Sequence, residues 1–454
     1  MTTPPPPRPE LLAPAGDPAR LDAAITYRAH AVYLGGAALN LRAGSTGFTW
    51  DTLPPALAKA RAHGVRVYYT LNALPRDAHL PAVEDALERL AAMGSNGPDA
   101  LIIADPGVLR LAQRLAPRLP IHLSTQANTA NAEAARFWAD QGVARVNLAR
   151  EMDAPAIRAL RHALPGLELE IFVHGAMCMA VSGRCLLSAW LNQRSANLGA
   201  CTHPCRFDYR PDPTAHAMPD AMAQPAPTTG DRANDGGAAA DDGGGAFTDA
   251  AGLFLEERTR PGEAAWELRE SEGFSHILAA DDLCLVRHLA WFVRQGVAGI
   301  KIEGRTKSPG YVAQVVDVYR TALDDLAAKT FRPADYVWEL RNAATRRLST
   351  GFFLPHGRRC HVDPLPDAEK TPLVAFVRER LADDAWRVAV RGRWDAGQAV
   401  CVMQPGLRRP VLAPGGYALE NADGDRLALA HPGVEAILRT PHPALRPGLF
   451  IRKD

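Results

Sequence analysis

The chain has 454 residues, 47% hydrophobic and 22% charged, with a formal net charge of +1, which excludes a fibrous or intrinsically disordered protein and leaves room for two or three domains. The near-neutral balance neither demands nor excludes a nucleic-acid partner, although the cations are nearly all arginine, the side chain suited to phosphate and carboxylate. No run of about 18 apolar residues occurs and the proline-rich start MTTPPPPRPE lacks the apolar stretch of a signal peptide, so a cytoplasmic protein without a membrane partner is expected.

After a flexible start over residues 1–9, eight short apolar runs follow one another: 10–15, 31–36, 65–72, 100–105, 121–126, 145–150, 168–174 and 299–305. Segments with apolar residues at helical spacing separate them, among them 80–93, 108–115, 131–141 and 153–164. Runs apolar along their whole length fit strands covered on both faces. Eight β/α repeats predict a (β/α)8 TIM-like barrel over residues 10–356, with an open doubly wound sheet as the alternative. In such a barrel chemistry sits at the carboxyl ends of the strands, so the polar residues closing the runs become candidates: Asn72, Asp105, Gln126, Arg150, His174, Glu303 and Arg305. Asp105, before Pro106, reads equally well as a helix cap.

Four of the seven cysteines follow the seventh run within 28 residues, at Cys178, Cys185, Cys201 and Cys205. In a reducing compartment clustered thiols are ligands or redox groups before they are disulfides. The spacing C-x6-C-x15-C-x3-C suits an iron-sulfur cluster better than a zinc finger. Residues 211–251 are little but Ala, Gly, Pro and Asp, which predicts a disordered insertion. Residues 282–294 read as a helix in which Cys284 is a small buried hydrophobe, and 309–329 as another. From about residue 366 the runs become short and turn-bounded, predicting a small antiparallel β-barrel domain over 366–454.

The stretches ELLAPAG, DALIIADPG, IHLSTQAN, EIFVHGAMCMAVSGRCLLS, GACTHPCR and IKIEGRTKSPGYVAQV resemble the signature blocks of the U-32 peptidase family, also called collagenase-like proteases. The likeness runs from about residue 10 to 320 and is strongest to the family's tRNA-modifying members. It implies a barrel carrying a 4Fe-4S cluster on Cys178, Cys185, Cys201 and Cys205, with Cys284 as an alternative fourth ligand. It also implies oxygen-independent, prephenate-dependent hydroxylation of the wobble uridine of tRNA to 5-hydroxyuridine, with an electron donor of unknown identity. Prephenate is a dicarboxylate, for which Arg150, Arg305 and Arg42 are candidate guanidinium forks. Asn72 and Gln126 are further substrate-binding candidates, and His174, Glu303 and Arg305 catalytic ones; an ion pair with Glu303 or Glu151 is the structural alternative for Arg305. Two other readings stand beside this one: a peptidase, and a zinc-stabilised RNA-binding protein. No H-E-x-x-H or G-x-S-x-G pattern supports a protease.

Overall fold

A computed structural model of the chain describes residues 8–36, 38–41, 47–178, 180–192, 194–206, 209–212, 253–257, 266–268, 281–355, 360–362 and 370–454. Arg42, nearly all of the low-complexity insertion and residues 1–7 lie outside the described residues. The chain forms two units, residues 1–202 with 280–454, and residues 203–279.

The strands up to residue 349 are β1 (Glu10–Pro14), β2 (Ala31–Leu34), β3 (Arg66–Leu71), β4 (Ala100–Ile103), β5 (Ile121–Leu123), β6 (Arg145–Asn147), β7 (Glu168–Ala176), β8 (Tyr209–Asp212), β9 (Leu253–Glu257), β10 (Trp266–Leu268), β11 (Asp282–Cys284), β12 (Gly299–Ile302) and β13 (Leu348–Ser349). β1 to β7 pair in parallel in sequence order, and β12 closes the ring between β7 and β1. The eight predicted runs are the eight staves of a closed parallel barrel. The second unit, by itself, is a three-stranded antiparallel sheet in the order β10-β9-β8.

The helices are α1 (Pro18–Thr26), α2 (Leu53–Ala62), α3 (Leu80–Ala92), α4 (Pro106–Leu115), α5 (Ala132–Asp140), α6 (Ala154–Ala163), α7 (Leu187–Asn192), α8 (Leu289–Gln295), α9 (Pro309–Ala328) and α10 (Pro333–Ala343). Five of them, α1, α4, α5, α6 and α9, start where an Asp, Asn or Ser side chain caps the first turn, and proline often stands just inside a start. Asp105 is such a cap, accepting from the Val108 amide at 3.0 Å. Where a helix was predicted over 282–294, residues Asp282–Cys284 instead form β11, and α8 begins only at Leu289. The backbone of β11 pairs antiparallel with His174, Gly175 and Ala176 at the end of β7, and those ladder partners outweigh the helical spacing of the apolar residues. No helix among the described residues is long and apolar enough to cross a membrane.

The C-terminal strands are β14 (Leu373–Ala382), β15 (Ala385–Val390), β16 (Trp394–Asp395), β17 (Val400–Met403), β18 (Val411–Leu412), β19 (Ala418–Glu420), β20 (Arg426–Leu427), β21 (Leu429–Ala430), β22 (Glu435–Arg439) and β23 (Phe450–Lys453). Eight of them form one curled antiparallel sheet, β18-β17-β23-β14-β15-β22-β19-β20, and β16 pairs with β21 as a ribbon. This sheet belongs to the same unit as the barrel and is fastened to it by buried polar contacts. The Tyr27 hydroxyl donates to the Met403 carbonyl at 2.7 Å, Arg409 pairs with Asp317 at 2.8 Å, and Arg452 holds both oxygens of Glu339 at 2.8 Å.

Candidate active site at the barrel mouth

Alternation along each stave sends every second side chain into the barrel. On β1 to β4 the inward residues include a small apolar cluster of Leu12, Ala31, Tyr33, Tyr68, Ala100 and Ile102, with Glu10 below it on β1. On the opposite arc they are polar: His122, Arg145, Asn147, Glu170 and Lys301, all buried. Arg145 bonds Glu10 at 2.6 Å and reaches Glu170 at 3.5 Å. Glu170 also accepts from Lys301 at 2.8 Å and from Asn147 at 3.0 Å. Burial alone would push the Glu170 carboxyl up, but the Lys301 and Arg145 cations outweigh it and hold the group below its ordinary value. The sequence reading passed over these residues, although a charge inside an otherwise apolar strand run was visible at Glu170 in ELEIF and Lys301 in IKIEG.

At the carboxyl end of the barrel this network opens into a cavity whose lining includes Tyr33, Asn72, Asn147, Arg150, Phe172, Lys301, Glu303 and Arg305. Four of the residues named from strand ends, Asn72, Arg150, Glu303 and Arg305, are therefore brought together. Arg305 is buried and donates to Thr70 Oγ1 at 2.8 Å and to Asn40 Oδ1, so its guanidinium is held between β3 and the segment that follows β2. Arg150 lies with its guanidinium carbon 4.0 Å from the Phe172 ring centre and donates to the Ala176 carbonyl at 2.9 Å. Its Nε is buried without a hydrogen-bond partner, as is Asn147 Oδ1. Asn72 donates to Ser124 Oγ at 3.2 Å. Gln126 is absent from the cavity lining; it is buried and donates to the Gly183 carbonyl at 3.2 Å.

His174 is also absent from that lining. Pairing between β7 and β12 shifts by one residue, from Lys301 opposite Phe172 to Ile302 opposite His174, so Val173 is an extra residue and the alternation reverses. The imidazole consequently turns outward to α9, where Nδ1 lies 3.4 Å from the Tyr319 hydroxyl, and burial lowers its pKa to about 3. Gly175 follows with φ +107°, and a Cβ there would stand 2.7 Å from the Glu303 carbonyl oxygen, so only glycine lets β7 pass this close to β12.

The cysteine segment leaves β7 over this rim. Ser182 is held by Glu151 through two bonds of 2.6 Å, Asn128 donates to the Val181 carbonyl at 2.9 Å, and the Leu74 amide donates to the Asn197 carbonyl at 3.0 Å. Residues following β3, β5 and β6 thus anchor the segment that carries Cys178, Cys185 and Cys201. These three thiols, and Cys205 in the second unit, lie outside any disulfide and are partly exposed. Among the described residues, no three His, Cys, Asp or Glu side chains converge as a metal-binding group. The donor chemistry nevertheless fits a soft metal centre, because four thiols outside any disulfide are what an iron-sulfur cluster requires. Cys284 fits less well: it is fully buried on β11, hydrogen-bonded with Tyr319, and burial pushes its thiol up to about 11.

Comparison with known proteins places this architecture. A family model described as peptidase family U32 matches residues 16–363. The chain is 35% identical over 437 residues to tRNA hydroxylation protein P of Escherichia coli, covering 93% of this chain and 91% of that protein. It is 37% identical over 349 residues to tRNA hydroxylation protein P of Helicobacter pylori, covering 76% and 71%. It is also 30% identical over 315 residues to a 23S rRNA 5-hydroxycytidine synthase of Escherichia coli, covering 69% of this chain and 39% of that protein. A family match over residues 16–363, together with a relative 35% identical over 93% of the chain, makes the chain a member of peptidase family U32.

Proposed function

We propose that this chain is an RNA hydroxylase that converts the wobble uridine of tRNA to 5-hydroxyuridine without molecular oxygen, using a 4Fe-4S cluster and prephenate. The observation that carries the reading is the 35% identity to the Escherichia coli tRNA hydroxylation protein P over 93% of this chain, a span long enough to reach into the C-terminal sheet. The likeness to a ribosomal RNA hydroxycytidine synthase supports hydroxylation of an RNA pyrimidine as the chemistry shared among these relatives.

In this reading Cys178, Cys185, Cys201 and Cys205 hold the cluster. The cluster supplies the electron transfer that side chains cannot perform unaided. The rest of the work falls to the mouth. Arg305, fixed by Thr70 and Asn40, and Arg150, stacked on Phe172, present guanidinium groups to the carboxylates of prephenate, while Asn72 and Glu303 border the same cavity. His174 packs against α9 and holds β7 in place. A peptidase reading draws no support from this histidine, whose ring is buried and neutral beside Tyr319.

The test is genetic and chemical. A deletion strain should lose 5-hydroxyuridine-derived nucleosides from its tRNA, and the wild-type gene, unlike Cys178→Ala, should restore them. Unchanged tRNA nucleosides by mass spectrometry would sink the tRNA assignment and make ribosomal RNA the next target. Anaerobically purified protein should show the broad visible absorbance of an iron-sulfur centre, reduced or lost in Cys178→Ala.

A further inference from the structure

We propose that Lys301 is a nucleophilic amine of the barrel mouth, placed to capture the carbonyl of a 2-oxo carboxylate as an imine. The inference shares the mouth with the hydroxylase reading and extends it to a covalent step. Lys301 is 4% exposed, yet it lines the cavity. Its Nζ lies 4.6 Å from the Tyr33 ring centre and 5.4 Å from that of Phe172, the ring that also carries the Arg150 guanidinium. A cation for a carboxylate and an amine for the adjacent carbonyl therefore flank one aromatic side chain. The unpartnered Arg150 Nε is a donor awaiting an acceptor, and the unpartnered Asn147 Oδ1 in the same cavity is an acceptor awaiting a donor. A 2-oxo carboxylate supplies the first through its carboxylate and, once attacked, the second through its new hydroxyl.

Lysine becomes nucleophilic when it is desolvated or set beside other cations. Both conditions hold: burial pulls the ammonium below the usual lysine range against the favourable Glu170 carboxylate, and Arg145 and Arg150 add to the depression. Glu170 Oε1, 2.8 Å from Nζ, is placed to take the proton. The freed amine then forms the nitrogen–carbon bond, the carbonyl π electrons moving to oxygen, which takes up one of the nitrogen's protons as the hydroxyl of a carbinolamine able to donate to Asn147. Return of the Glu170 proton to that hydroxyl expels water and leaves the protonated imine, so one ammonium and one ketone become one iminium and one water.

The experiment uses the full-length protein, pyruvate as the probe and cyanoborohydride as the trap, with peptide mapping by mass spectrometry. The expected result is a reduced pyruvyl adduct on the peptide containing Lys301. It should be absent when propionate replaces pyruvate, and lost in Lys301→Arg, which keeps a cation against Glu170 but no nucleophile. Labelling of wild-type Lys301 no stronger than that of the exposed Lys59 and Lys329, or label persisting on that peptide in Lys301→Arg, would overturn the proposal. Because the wild-type map needs no variant, a folding defect in Lys301→Arg does not protect the idea. An adduct at Lys301 together with unchanged tRNA nucleosides in the deletion strain would remove the hydroxylase reading alone. Hydroxylation of tRNA without labelling would remove the imine alone.

Discussion

The two arcs of the barrel interior solve burial in opposite ways. Leu12, Ala31, Tyr33, Tyr68, Ala100 and Ile102 fill one arc with carbon, where desolvation is favourable. Arg145, Asn147, Glu170 and Lys301 fill the other with groups whose desolvation is unfavourable and is offset only by one another. The difference teaches where to look for chemistry in such a barrel. A packed apolar arc can only stabilise, whereas a buried charged arc that reaches the mouth holds reactive groups in place at a cost the rest of the fold must cover.

The sharpest way to break the contrast is Glu170→Leu, which takes from the buried Lys301 its carboxylate and leaves Arg145 to Glu10. It should destabilise the protein by about 3–5 kcal/mol in chemical denaturation, and a loss below about 1 kcal/mol would show that the charged arc is not mutually dependent. On the other arc, Leu12→Ala removes packing alone and should cost about 3 kcal/mol, with no change in pH dependence. Tyr68 joins the arcs, its ring in the apolar cluster and its hydroxyl 2.8 Å from both oxygens of Glu10. Tyr68→Phe should therefore cost about 2 kcal/mol, the range of a hydrogen bond to a charged partner. His122 supplies the most specific effect. Burial lowers its pKa from 6.5 to about 3, so between those values the unfolded chain binds the extra proton. Its contribution is complete above pH 6.5 and is lost as the pH falls toward 3. Stability should fall with acid, and His122→Gln should flatten that slope by about 1.4 kcal/mol per pH unit.

All eight staves were legible because strands covered on both faces are written as mostly apolar runs. β11 was not, since three residues spell no period and DDLCLVRHLAWF carries helical spacing; its pairing with β7 and β13 decides its state. At the site, Asn72, Arg150, Glu303 and Arg305 could be found because they close their runs and so stand on the rim. The same rule pointed to His174, which the extra residue Val173 turns away, and a bulge leaves no mark in composition. Gln126 closes its run as well but spends its amide on the cysteine segment. Lys301 and Glu170 are hidden for a different reason: they stand in the middle of their strands, where the strand-end rule does not reach.

Closure of the barrel by β12 carries a consequence for how the chain is made. Glu10 pairs with Gly299 across almost two thirds of the sequence, and the buried charges Glu10, Arg145, Glu170 and Lys301 are spread over the same span. Contacts of such long range form late and slowly. A nascent chain that has not yet emerged past Lys301 holds Glu170 and Arg145 without their last partner and β1 and β7 without the strand that joins them. No half of the barrel holds all four of these charges, so the set is complete only once the strand carrying Lys301 has joined β1 and β7.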